Sequence, residues 1–229
     1  MVNLSTQFSS YFKQLPQAES IRIETDVRGW LEEQRISVFS NPNSFQVKKS
    51  FVSSDIGAEL YFLSYWTLSV VIAFYQDDNN VLWLDNHNNN TDFSIFSRRE
   101  SLYSWLPEHL DDFVSLLIKT KLNFLGEPRL VGDVSDVPRI AEDYRNYLLT
   151  SQEGITELTR RETLINEVAG KVHTPISSNK NGSFFIEFFV WTRILGNLIR
   201  ISCFIKSDGI FDYNGNVIAE SIGNFYVPR

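Results

Sequence analysis

The sequence predicts an α+β fold: a curved antiparallel sheet made of a C-terminal meander plus strands from the N-terminal half, with helices packed on it. Three observations carry that prediction. Residues 45–96 hold aromatic and β-branched runs separated by Asp and Asn breaks. Residues 100–170 repeat apolar positions at helical spacing. The C-terminal segment contains Gly196-Asn197, Asp208-Gly209 and Asn214-Gly215, dipeptides that turn hairpins because their backbones tolerate positive φ.

Taken in order, Leu4, Phe8, Tyr11, Phe12 and Leu15 share one helical stripe that Pro16 ends. The polar side of that stripe carries Ser, Gln and the single cation Lys13, which suits packing on the protein itself better than a membrane surface. Ser20–Glu24 alternates like a strand, Asp26–Gln34 suits a helix capped by Asp26, and Arg35–Ser40 reads as extended. After the turn at Asn41-Pro42-Asn43-Ser44, five strands are expected: Phe45–Val52, Ala58–Thr67, Leu68–Gln76, Val81–Asp85 and Phe93–Phe96.

Pro107, Glu108, Asp111 and Asp112 suit the start of a helix whose apolar face is Leu106, Leu110, Phe113, Val114, Leu117 and Ile118. Gly126–Pro138, with Pro128 and Gly132, reads as a loop or linker. Helices follow over 139–150 and 153–169, the second burying Ile155, Leu158, Ile165 and Val168 and pairing Glu157 with Arg161. Thr174-Pro175 and Asn179–Gly182 end the helical region. The meander then runs Ser183–Leu195, Leu198–Ser207, Ile210–Tyr213 and Asn216–Val227. The expected organisation is one domain over 1–229, with 126–138 as the place where 1–125 and 139–229 would divide. Tyr65-Trp66-Thr67 echoes Val190-Trp191-Thr192, so two pseudo-repeated halves are the alternative.

Composition narrows the function. Of 229 residues, 43% are apolar and 14% aromatic, which excludes a disordered chain. The net charge of −7, carried mainly by residues 1–125, argues against general nucleic-acid binding and fits an acidic protein that meets a basic partner. Cys203 is the one cysteine, so neither an internal disulfide nor a cysteine zinc site can form. No signal-peptide pattern is visible, and the longest strongly apolar run, Val70–Tyr75, is far too short for a transmembrane segment. A cytoplasmic location is expected, and no cofactor.

The first hairpin of the C-terminal meander carries the functional expectation. A two-residue loop at Gly196-Asn197 would set Leu195 opposite Leu198. One face would then be apolar: Ile194/Ile199, Thr192/Ile201, Val190/Cys203 and Phe188/Ile205. The other would carry Arg193/Arg200, Trp191/Ser202, Phe189/Phe204 and Glu187/Lys206. Two arginines directly opposite repel unless an anion offsets them. A wall of Phe189, Trp191, Arg193, Arg200 and Phe204 therefore suggests a binding surface for a protein partner or a small anionic or planar ligand, because Arg forks onto carboxylates and stacks on rings. If Asp208-Gly209 sits in a three-residue bulged turn, the strand after it shows its other face.

Catalysis is the weaker reading. The phosphate loop, the G-x-S-x-G elbow and the H-E-x-x-H motif are all missing. The alternative is a carboxylate-dependent hydrolase or isomerase, with Glu59 or Glu187 as an acid in an aromatic pocket. Asp85, His87 and Asp92 could ligate a metal, although their loop reads better as an asparagine-rich turn. Cys203, on the apolar face, reads as packing. His109 reads as a surface residue near Asp112, and His173 as a residue closing a helix.

Overall fold

The computed structural model describes residues 12–14, 46–50, 58–65, 68–75, 80–84, 90–122 and 125–225. The architecture is α+β, with two five-stranded antiparallel sheets and five described helices.

The first sheet is a meander in chain order: β1 (Phe12–Gln14), β2 (Gln46–Ser50), β3 (Glu59–Tyr65), β4 (Leu68–Tyr75) and β5 (Asn80–Trp83). The expected N-terminal helix is corrected within this range, since Phe12–Gln14 pairs with β2. Its remaining residues, like the elements expected over 20–40, lie outside the described residues. Phe93–Phe96 is a second correction, because it falls inside helix α1 (Thr91–Arg99). A four-residue apolar run fits either period. Here the three-residue spacing decides, placing the rings of Phe93 and Phe96 on one side with centres 5.8 Å apart.

Helices α2 (Leu102–Trp105) and α3 (Leu110–Lys119) follow, joined by a 3-10 turn at Leu106–Glu108. On α3, Phe113, Val114, Leu117 and Ile118 are buried as the spacing predicts. The expected loop at 126–138 holds strand β6 (Pro128–Val131) and a 3-10 turn at Val134–Asp136, capped where Asp133 accepts from the Ser135 N–H at 2.8 Å. Helix α4 (Glu142–Leu148) leads into α5 (Gln152–Ala169). The α5 stripe is corrected at one position: Leu158 and Val168 are buried, but Ile155 is 40% exposed.

The second sheet contains β7 (Ile176–Lys180), β8 (Ser183–Thr192), β9 (Leu198–Lys206) and β10 (Phe211–Ala219). Its order is β10-β9-β8-β6, with β7 on β8 beyond β6, so the two sheets have the same strand number but different orders. Strand β7 was not expected. It turns into β8 through Asn181 and Gly182, both at positive φ (51° and 72°), with Lys180 opposite Ser183.

Strand β8 divides the interior by its period of two. Ile186, Phe188 and Val190 face the main core, where they join Leu60, Ala73 and Leu82 of the first sheet and Phe93, Phe113 and Leu117 of the helices. Phe189 and Trp191 face the opposite way, into a second core with Leu198, Val168 of α5 and Ile222.

Candidate functional site

The expected hairpin register is wrong, while its faces are right. Strand β8 pairs with β9 so that Trp191 lies opposite Leu198, Phe189 opposite Arg200, Glu187 opposite Ser202 and Phe185 opposite Phe204. The connection is longer than two residues because Leu195 and Gly196 both take left-handed backbone (φ 69° and 66°). Thr192 closes this loop. Its N–H donates to the Asn197 carbonyl at 2.9 Å, while its hydroxyl donates to the Ile194 carbonyl at 2.7 Å and accepts the Asn197 N–H at 3.1 Å. The register differs by four residues, an even number, so inward residues remain inward.

The slip separates the two arginines. Arg193 lies in the loop, where its Nη1 is 2.9 Å from Glu127 Oε2 and both side chains are more than half exposed. Arg200 stays on the outer face and is 46% exposed.

That face is covered over one half. Phe189 and Trp191 are 2% and 1% exposed, beneath α5 and the segment after β10. Three contacts seat the segment: Trp191 Nε1 donates to the Ile222 carbonyl at 2.9 Å, the Ile222 N–H to the Gly196 carbonyl at 2.9 Å, and the Asn224 N–H to the Pro138 carbonyl at 2.8 Å. A third carbon on Gly223 would lie 2.7 Å from the Pro138 carbonyl, so only glycine allows this approach.

The other half is open. Phe185 is 47% exposed, with its ring centre 6.3 Å from that of the half-buried Phe204, and Lys206 Nζ stands 5.8 Å from the Phe204 ring centre. Beside this pair, Glu187 Oε1 lies 3.1 Å from His173 Nε2, and its Oε2 lies 4.0 Å from Arg200 Nε. His173 Nδ1 is 2.7 Å from the Thr174 carbonyl, so both ring nitrogens face oxygen acceptors, and the ring stands edge-on to Phe189. Sequence reading missed Phe185 and His173 here. The expected register, four residues off, sets Phe204 opposite Phe189, and His173 reaches the face because β7 folds back on β8.

The catalytic candidates Glu59 and Glu187 lie on different sheets. Glu59 lies on β3 opposite Phe74, far in sequence from Glu187, whose carboxylate is held between Arg200 and His173 on an open strand surface. Asp85 and His87 lie outside the described residues. Asp92 accepts the Trp83 N–H at 3.0 Å, tying α1 to β5. No three metal-ligating side chains come together among the described residues. Cys203 is buried among apolar side chains, and that burial pushes its thiol pKa well up. His109 stacks on Trp105 and lies 3.4 Å from Asp112. Among the described residues, no helix is long and apolar enough to cross a membrane. In comparisons with known proteins, the chain matches no family model, no curated protein and no solved structure.

Proposed function

We propose that the chain is a non-enzymatic, intracellular binding or assembly protein that holds an acidic or planar group of a partner on the open half of the outer β8–β9 face. One observation carries the reading: the exposed Arg200 shares one face of β9 with Phe204, which pairs with the exposed Phe185, while Phe189 and Trp191 of the same face are covered. Arg200 supplies a fork for a carboxylate, and Phe185 and Phe204 supply ring surface. Glu187 and His173 orient Arg200 and add a polar rim. Phe189 and Trp191, on the covered half of the same face, do not touch the partner. Arg193, held by Glu127 at the far end, contributes to charge alone. This array suits binding better than acid catalysis, because Glu187 has charged and polar partners in place of an apolar pocket.

The test compares partners retained from native cell extract by the wild-type chain, by Arg200→Ala with Phe204→Ala, and by the remote Tyr147→Ala. Retention by wild type and Tyr147→Ala, with at least a tenfold loss in the double variant at unchanged circular dichroism, is the expected result. Equal retention by all three would remove the proposal.

A further inference from the structure

We infer that His173 is a proton-operated positioning residue: charged, it draws Glu187 away from Arg200 and leaves the arginine fork open, and neutral, it lets Glu187 close on that fork. The inference rests on the reading of the open β8–β9 face as a binding surface and names how that surface is regulated. Its basis is the number of donors on one ring. His173 Nδ1 lies 2.7 Å from the Thr174 carbonyl, and Nε2 lies 3.1 Å from Glu187 Oε1. A carbonyl and a carboxylate only accept, so each contact needs a proton on the nitrogen. A neutral imidazole has one N–H and turns a lone pair on the other oxygen. Only the imidazolium satisfies both contacts at once.

The carboxylate is the part that moves. Glu187 divides its oxygens unequally between two cations: Oε1 is within hydrogen-bonding range of His173, while Oε2 stands 4.0 Å from Arg200 Nε, beyond that range. The structure therefore holds the arrangement of the charged ring. The ring itself stays in place, because the shorter contact to the Thr174 carbonyl anchors Nδ1 and Phe189 meets the ring at 89° with centres 4.9 Å apart. Loss of the proton on Nε2 sets a lone pair against Oε1 and leaves Arg200 as the nearest charged donor to Glu187. A movement of about 1 Å then brings Oε2 to the length of a charged hydrogen bond with the guanidinium.

Among the described residues, no other charged group pairs with the ring. Glu167 and Lys171, at the end of α5 and just beyond it, are exposed and form no ion pair with it. Asp136, in the turn beside Thr174, is occupied by the Gly132 and Asp133 N–H groups at 2.9 and 3.0 Å. Lys180, the charged residue of β7, lies at the far end of that strand opposite Ser183, and Lys206 of β9 stands over Phe204. His173 and Glu187 are both partly exposed, so protons reach them from solvent. Histidine is the side chain whose charge changes between about pH 5 and 8. Lower pH charges His173, frees Arg200 and adds a positive charge beside it, so the face holds a carboxylate more tightly at low pH than at high pH.

Nuclear magnetic resonance of the isotope-labelled full chain follows the switch. As pH rises from about 5.5 to about 8, His173 should lose its Nε2 proton, and the Glu187 carboxyl carbon and the Arg200 Nε–H should shift with the same midpoint. In His173→Gln neither should shift over that range. Glu187→Gln serves where that variant fails to fold: its Arg200 signal should lose most of the displacement, because no carboxylate remains to change partners. An Arg200 signal that ignores the His173 titration would overturn the proposal, as would an equal displacement in Glu187→Gln, which comes from the field of the histidine alone. Phenylacetate, a ring bearing one carboxylate, probes the face. Its Kd should be about threefold lower near pH 6 than near pH 8 in the wild-type chain and equal at both in His173→Gln. Binding of phenylacetate that is equal at both pH values in the wild-type chain would also overturn the proposal. Coupled shifts without any phenylacetate binding would uphold the switch and count against the binding reading instead.

Discussion

Arg161 Nε lies 2.7 Å from Glu157 Oε1, one helical turn away, and from that anchor the buried guanidinium reaches the segment that follows β10. Its Nη1 donates to the Gly223 carbonyl at 3.3 Å, and its central carbon stands 4.5 Å from the Phe225 ring centre. The expected i,i+4 helix pair is thus also the fastening of the second core. Truncation by Arg161→Ala should cost about 2–3 kcal/mol in urea unfolding, since it removes a charged hydrogen bond and a ring contact together. Arg145→Ala, whose exposed partner Glu162 is 3.3 Å away, should stay within about 0.5 kcal/mol.

Glu157 makes that fastening acid-sensitive. Hydrogen bonding from Arg160, reinforced by Arg161, holds its carboxyl pKa at about 2, below the ordinary 4.5. A carboxyl with a lower pKa in the folded state stabilises the fold fully above its unfolded pKa. That contribution should fade between pH 4.5 and about 2, and Glu157→Gln should flatten this part of a stability–pH curve.

The division made by β8 is testable by neighbouring phenylalanines. Phe188→Ala should cost about 3–5 kcal/mol, because the ring is fully buried in the main core. Phe185→Ala, on the open face, should cost no more than about 1 kcal/mol.

Two glycines from look-alike turn dipeptides should behave in opposite ways. Gly209 has φ +83°, and a Cβ there would lie 2.8 Å from the Arg98 Cα, so Gly209→Ala should destabilise by at least about 2 kcal/mol. Gly215→Ala meets no such obstacle and should be neutral or stabilise the fold by up to about 1 kcal/mol. Thermal unfolding of both variants measures the contrast.

Cys203 should resist alkylation at neutral pH in the folded protein and react only once denaturant opens the main core. Rapid labelling in the native state would show that β9 opens locally.

Much of this architecture can be read from the residues, and the failures have physical causes. Strands β2 to β5 of the first sheet follow their β-branched runs to within a few residues, and the faces of β8 and β9 follow alternation. Register is harder, because it depended on Leu195 accepting a left-handed backbone and on the Thr192 hydroxyl closing the loop, neither of which periodicity reveals. Asn214-Gly215 has the composition of a turn, yet Gly215 sits opposite Ile201 inside an unbroken strand, since β9 is long enough to pair through it. Asp208-Gly209 does turn. Ser207, Asp208 and Gly209 make a three-residue loop, with the Gly209 N–H donating to the Lys206 carbonyl at 2.8 Å. The expected wall lost Phe189 and Trp191 for a tertiary reason: helix α5 and residues 220–225 settle over them.

One strand with a different chamber on each side has a mechanical consequence. Tearing β8 away from β9 would expose Phe188 to water on one side and Trp191 on the other at the same moment. Neither compartment can melt by that route and leave its neighbour standing, so the indole's fluorescence and the burial of Cys203 should report a single shared collapse.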